Sequence, residues 1–205
     1  LSAALALSLQ GMGAKVGLLD ADIYGPSVPT IFGVSESPRM YMKGDKQIMI
    51  PIEAKGLKLL SIGFMTAPGQ PIVWRGPMIS SAFKQFVQDT DWGDLDYLII
   101  DLPPGTGDVQ LSLVQNVPLT GVVIVTTPQE MALTDARRAM GMFSMEAVNK
   151  RILGIVENMS YFTPEELPTN KYYIFGKDGG KNLADEFDIP FLGQIPIVQS
   201  IREGG

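Results

Sequence analysis

Four short apolar runs constrain this chain more than any other feature: VGLLD (16–20), YLIID (97–101), GVVIVTT (121–127) and RILGIVEN (151–158). Each is uninterrupted rather than alternating, as strands buried on both faces should be, and each carries a carboxylate or polar residue at its C-terminal end. Helix-like segments lie between them at 78–88, 108–115 and 129–148, and a fourth at 178–187 precedes the short strand IPFLGQI (189–195). Strands alternating with helices imply βαβ units with right-handed crossovers. The expected fold class is α/β: a doubly wound, mostly parallel sheet with helices on both faces. Residues 43–64 predict one β-hairpin or edge pair feeding back into the sheet. Residues 159–177 predict a long loop with two prolines and several aromatics, and loops of that length in a compact domain are usually functional or mobile.

A length of 205 residues, 45% hydrophobic and 19% charged, fits one globular domain. Sixteen basic against 22 acidic residues leave a net charge of −6, which argues against general nucleic-acid binding. There is no cysteine and no histidine, so disulfides, thiolate nucleophiles, Cys/His metal sites and Ser-His-Asp triads are excluded for these residues. No apolar stretch reaches the ~18 residues that a membrane-spanning helix needs. Residues 1–10 have helix-like apolar spacing, stopped by Gly11 and Gly13, and read as a helix entered midway.

In doubly wound sheets, ligands bind beyond the C-terminal ends of the strands. DADIYGPSVP (20–29) puts Asp20 and Asp22 two residues apart, where extended backbone would point both the same way. One carboxylate can position a magnesium-bound water and the other an attacking water; the alternative is a strand-end Asp with an Asx turn. Asp101 ends an apolar strand before LPPGTGD, the Walker-B arrangement for holding Mg²⁺ through water. The backbone of Gly105-Thr106-Gly107 can approach a γ-phosphate, or simply form a turn. Asn158, after the last long strand, can bond an adenine edge through its donor and acceptor, or serve as a cap. QIPIV (194–198) can supply backbone contacts on the other side of the base. Glu165 and Glu166 can ligate a hard metal or stay solvated. No G-x-x-x-x-G-K-[ST] phosphate loop occurs in the 205 residues. Residues 1–10 look like the helix such a loop opens, so it is expected immediately before Leu1.

DADIYGPSVP, WRGPM (74–78), DYLIIDLPPGTGD, TTPQEMALTDARRA (126–139), GIVENMSYF (154–162), IFGKDGG (174–180) and LGQIPI (192–197) occur in that order. Together they resemble the Mrp/ApbC family of iron–sulfur cluster carrier ATPases, in the MinD-like, deviant Walker-A branch of P-loop proteins. The resemblance implies a single P-loop NTPase-like domain over 1–205 that lacks the N-terminal strand and phosphate loop. These residues alone are then expected to hydrolyse ATP poorly or not at all. It implies a cytoplasmic homodimer that binds ATP and Mg²⁺ and passes a cluster to apo iron–sulfur client proteins, with no nucleic-acid or membrane partner. By matching position, Asp22 would orient or activate the attacking water, supported by Asp20. Asp101 would bind Mg²⁺ through water, Gly105 would sense the γ-phosphate, and Asn158 would read adenine between Pro196 and Ile197.

The family commonly places a Cys-x-x-Cys pair shortly after ENMSYF, where this chain reads MSYFTPEELPTNKYYIFG. No soft ligand for iron remains there. Two alternatives stay open. One is a MinD/ParA-type partitioning ATPase, which would need a basic surface or an amphipathic terminal helix. The other is a scaffold switched by nucleotide without catalysis.

Overall fold

The computed structural model describes residues 1–65, 76–115 and 117–200. Strand β1 (Val16–Asp20) is buried along its whole length because it has a parallel neighbour on each side. On one side β5 (Leu57–Ser61) sets Asp20 opposite Ser61, and on the other β6 (Tyr97–Asp101) sets Asp20 opposite Asp101. A short antiparallel strand, β4 (Ile52–Ala54), lies outside β5, giving the order β4-β5-β1-β6. Three neighbouring parallel strands therefore end in one row of polar residues: Ser61, Asp20 and Asp101.

Contacts gather into two units, one of Leu1–Pro104 with Asp108–Val117, the other of Gly105–Gly107 with the chain from Pro118 onward. In the first, α1 (Ser2–Gly11) and α2 (Val28–Phe32) cover one sheet face, where Ala6, Val28 and Phe32 meet Val16, Leu18, Leu57 and Leu59. Strand alternation sends Leu19 and Leu60 to the other face, and both are fully buried. Helix α3 (Gly76–Gln88) buries Ile79, Phe83 and Phe86 at i, i+4 and i+7 and packs against α4 (Asp108–Gln115). Each such side chain contributes about 1.5–3 kcal/mol by leaving water. A separate antiparallel hairpin, β2 (Arg39–Lys43) and β3 (Lys46–Ile50), is tied on through Met49, whose N–H donates to the Asp89 carbonyl at 2.9 Å.

The second unit is a parallel sheet of β7 (Val122–Thr126), β8 (Ile152–Glu157) and β9 (Phe191–Gln194), in that order. Its crossovers run through α5 (Glu130–Ser144) and α6 (Gly179–Glu186). The two helices pack on each other, so they cover the same sheet face. Arg137 of α5 joins them through Glu186 at 3.0 Å, an exposed ion pair that contributes at most about 1 kcal/mol. Among the described residues, no helix is long and apolar enough to cross a membrane.

The strands at 16–20 and 97–101 and the helix at 108–115 fall where the sequence predicts them. Burial on both faces describes β1, whereas in the second unit Val125 is 45% and Leu153 36% exposed. Helix α5 stops at Ser144 rather than continuing to 148, because Met145 turns to extended backbone at ψ 140°. Segment 43–64 holds parts of two hairpins rather than one, and its last strand, β5, is a parallel core strand. The lysine in LKLLS disguises it: Lys58 runs its stem out of the sheet and donates from Nζ to the Trp92 carbonyl at 2.7 Å. WRGPM begins outside the described residues.

Candidate functional site

Asp20, Asp22 and Asp101 come together at the C-terminal edge of the first sheet. The Ala21 N–H donates to the Asp101 carbonyl at 2.9 Å, which continues the β1–β6 ladder one residue past the strand. Asp20 is buried and accepts three hydrogen bonds. Its Oδ2 takes the Val28 N–H (3.1 Å) and the Ser61 hydroxyl (2.9 Å), and its Oδ1 takes the Asp22 N–H (3.1 Å). Burial pushes the Asp20 carboxyl above its ordinary value, outweighing those bonds, and the charge of Asp101 pushes the same way. With its oxygens occupied, Asp20 holds the 20–28 loop against the strand ends.

Asp22 is half-buried and lies beyond the end of β1, so the two carboxylates do not share one extended face. Its Oδ1 accepts the Tyr24 N–H at 3.0 Å and the Gly25 N–H at 3.3 Å, which is an Asx turn. The turn and the functional reading are compatible: the turn fixes the rotamer through Oδ1, and among the described residues no hydrogen bond engages Oδ2. Asp101 accepts the Ser2 hydroxyl at 2.9 Å on Oδ1, so the first turn of α1 faces this carboxylate.

The remaining predicted residues belong to the second unit. Gly105 is exposed with φ 99°, in the left-handed region that favours glycine. Asn158 follows β8 and donates its N–H to the Thr126 carbonyl at 2.7 Å. Beyond β8 and β9 the two chains stay side by side. Ile195 N–H bonds the Glu157 carbonyl (2.8 Å), Ser160 N–H bonds the Ile195 carbonyl (3.0 Å), and Ile197 N–H bonds the Tyr161 carbonyl (2.7 Å). This pairing sets Ile195 across from the Glu157–Ser160 stretch and Ile197 opposite Phe162, so it does not bring Asn158 directly against Ile197; Asn158, Pro196 and Ile197 are all half-buried.

Sequence reasoning missed Ser61 and Ser2, which hydrogen-bond Asp20 and Asp101. Ser61 carried a signal, since it ends an apolar run as Asp20 and Asp101 do. It also missed the role of Glu157, which is fully buried and accepts the Gly180 N–H on Oε2 at 2.6 Å and the Gln194 amide on Oε1 at 2.9 Å. Gly180 suits that close approach: a Cβ there would lie 3.0 Å from the Glu157 Cβ, so Glu157 would have to give by a few tenths of an ångström.

The 159–177 loop is braced rather than loose. Phe162 and Tyr172 exchange two backbone hydrogen bonds of 2.9 Å. Tyr161 meets Tyr173 edge-on at 6.3 Å, and the Lys171 ammonium sits 4.1 Å from the Tyr161 ring centroid. Glu165 and Glu166 are exposed, and no group of three or more acidic side chains suited to a metal occurs among the described residues. A cavity of about 650 Å³ lies at the opposite end of β1 and β5, beside Lys15, Lys58 and Asp94. None of the predicted site residues lines it.

Polar residues closing neighbouring parallel strands, with a carboxylate facing the start of a helix, place this row where α/β folds of the doubly wound class bind their ligands. Similarity to the MinC:MinD cell division complex of Aquifex aeolicus shows the same fold, with TM-score 0.61 and 18% identity over 99% of this chain and 77% of that one. All of residues 1–205 match the family described as "ParA: NUBPL iron-transfer P-loop NTPase", and the chain belongs to that family. A nucleotide-binding protein from Archaeoglobus fulgidus, solved in complex with ADP, is 35% identical, with TM-score 0.83 over 99% of this chain and 77% of that one. An iron–sulfur cluster carrier protein from Synechocystis is 49% identical over 202 residues, covering 98% of this chain and 57% of its own length. The chain spans about half the length of the curated relatives it matches.

Proposed function

We propose that these residues carry the magnesium-holding and water-positioning part of an ATP-hydrolysing site, in a carrier or assembly factor for iron–sulfur clusters. The supporting observation is the Ser61–Asp20–Asp101 row with Asp22 just beyond it, in a family of iron-transfer P-loop NTPases. The match over residues 1–205 also supports treating them as one NTPase-like domain.

The donor set fits magnesium, which binds hard oxygens and usually relies on one or two carboxylates plus substrate phosphates. Asp101 would hold the ion through water, with Ser2 orienting the carboxylate. When bound, magnesium neutralises charge developing on the phosphates. Asp22 would use its unengaged Oδ2 to orient and activate water, while Asp20 positions the loop that carries it. Gly105 would sense the γ-phosphate through its backbone. Asn158 would read the adenine edge, with Pro196 and Ile197 flanking the base. The cluster is cargo, handed to apo client proteins by a cytoplasmic homodimer; with no Cys or His, these residues offer it neither thiolate nor imidazole.

That composition favours a second reading, a scaffold that binds nucleotide as a switch without turnover. Steady-state ATP hydrolysis by the natural full-length protein, titrated with Mg²⁺, separates the two. The proposal expects Asp101→Asn to raise the magnesium needed for half-maximal turnover by about tenfold or more, roughly 1.4 kcal/mol of lost interaction. Unchanged magnesium dependence would remove Asp101 from the site. ATP binding without hydrolysis by the wild type would favour the scaffold.

A further inference from the structure

Strand β2 reads RMYMK, and all five residues are exposed. It pairs with β3 on one side and, among the described residues, with nothing on the other. The hairpin closes through the two-residue Gly44–Asp45 turn, with Lys43 opposite Lys46. The closing pair of such a hairpin is hydrogen-bonded, and bonded pairs then alternate along the ladder. Lys43, Tyr41 and Arg39 therefore spend their backbone groups on β3, and Met40 and Met42 point theirs at the open edge. The far side of β3 agrees. Met49, opposite Met40, turns its N–H and carbonyl outward to the Asp89 carbonyl and the Asp91 N–H, at 2.9 and 2.8 Å.

Natural edge strands are usually blunted by short length, charged side chains (above all Lys), a bulge, a proline, inward charge or a covering element. This one runs in register over five pairs and carries large apolar side chains, Met42 being 64% exposed. Its charges lie only at the ends. Lys46 of the neighbouring strand is paired with Asp89 at 3.7 Å, while Arg39 and Lys43 form no ion pair among the described residues. Those two cations also disfavour a second copy of this chain. An antiparallel β2–β2 pairing centred on Tyr41 would set Arg39 against Lys43 twice, and like charges directly opposite are destabilising.

We propose that β2 is a docking edge for an extended segment of an acidic partner protein, which adds a strand by bonding the backbone of Met40 and Met42. Its carboxylates would lie opposite Arg39 and Lys43, with apolar side chains between them against Met40, Tyr41 and Met42. The site works without nucleotide and stands apart from the ATPase reading.

The test uses the blocked, fluorescein-labelled peptide Glu-Val-Tyr-Val-Glu and the full chain, read by fluorescence anisotropy without ATP. Saturable binding is expected, weakened about tenfold or more by the Arg39→Glu/Lys43→Glu pair and by exchanging the peptide's glutamates for lysines. Hydrogen exchange supplies the backbone readout: bound peptide should slow exchange at Met40 and Met42 about tenfold, with little change at Tyr41. Met42→Pro removes one outward donor and leaves every ladder bond to β3, a place where an edge strand accepts proline, and should abolish that protection. If Met42→Pro fails to fold, the charge-reversed pair and the exchange pattern still decide. The proposal is overturned by absent binding, by equal binding of the lysine peptide, by unprotected Met40 and Met42 amides, or by self-association of the chain through β2.

Discussion

Replacing Glu157 is the sharpest structural perturbation available. The side chain is fully buried and serves two donors: the Gly180 N–H at 2.6 Å, in the first turn of α6, and the Gln194 amide at 2.9 Å. A hydrogen bond to a charged group contributes about 1.5–3 kcal/mol, and a donor left buried without a partner costs a similar amount. Glu157→Ala strands the buried Gly180 N–H, leaves the half-buried Gln194 amide only its 3.5 Å bond to Asp178, and opens a small cavity, so a loss of about 3–5 kcal/mol is expected. Glu157→Gln keeps an acceptor for Gly180, and a flipped Gln194 amide can restore the second bond in neutral form. The flip turns the Gln194 oxygen towards Asp178 Oδ1, which now receives the Gln194 amide at 3.5 Å. Loss of charge assistance and of the favourable helix end then costs about 1–2 kcal/mol. Urea unfolding followed by far-ultraviolet circular dichroism reads both. With a slope of about 2 kcal/mol per molar, the Ala variant should lower the midpoint by roughly 1.5–2.5 M and the Gln variant by under about 1 M. A midpoint for Glu157→Ala within about 0.3 M of wild type would refute the reasoning, by showing that desolvation of the carboxylate cancels its bonds.

Two further outcomes follow from the first carboxylate and from the composition. Burial raises the Asp20 carboxyl above its ordinary 3.8, so the folded chain keeps a proton that the unfolded chain releases. The contribution of this group is therefore full below pH 3.8 and is lost as pH rises through the folded-state value. Wild-type stability minus that of Asp20→Asn, from urea curves across acidic pH, should fall as pH rises, and a rising difference would contradict the assignment. Anaerobic incubation of these residues with iron and sulfide should leave no stable cluster, because there is no Cys or His to bind it. A stoichiometric cluster absorbance that depends on no added thiol would overturn that expectation.

What could be read from the sequence depended on whether a signal was local. Asp20 and Asp101 were legible because each ends an uninterrupted apolar run, and parallel pairing makes such ends adjacent. Ser61 ends the third strand of that row but was hidden, because Lys58 made LKLLS look like part of a surface hairpin. The Asx turn at Asp22 was legible as an alternative to function, yet the structure needs no choice: one oxygen makes the turn and the other stays unengaged. Glu157 was visible only as the residue before Asn158. Its partners lie 23 and 37 residues away, and no spacing rule connects them before the β8–α6–β9 crossover is folded. The bracing of 159–177 was likewise out of reach, since cation–π contacts and the Phe162–Tyr172 bridge depend on how a long loop closes.

The central claim is that Asp22 serves the attacking water rather than only its own turn. Turnover of MgATP by the natural full-length protein, compared with Asp22→Asn and paired with a nucleotide-binding titration, tests it directly. Asparagine keeps the Oδ1 turn bonds to Tyr24 and Gly25 and removes the second carboxylate oxygen. The account predicts turnover lowered by about a hundredfold or more, with binding changed by less than about threefold. Unchanged turnover in Asp22→Asn would contradict it.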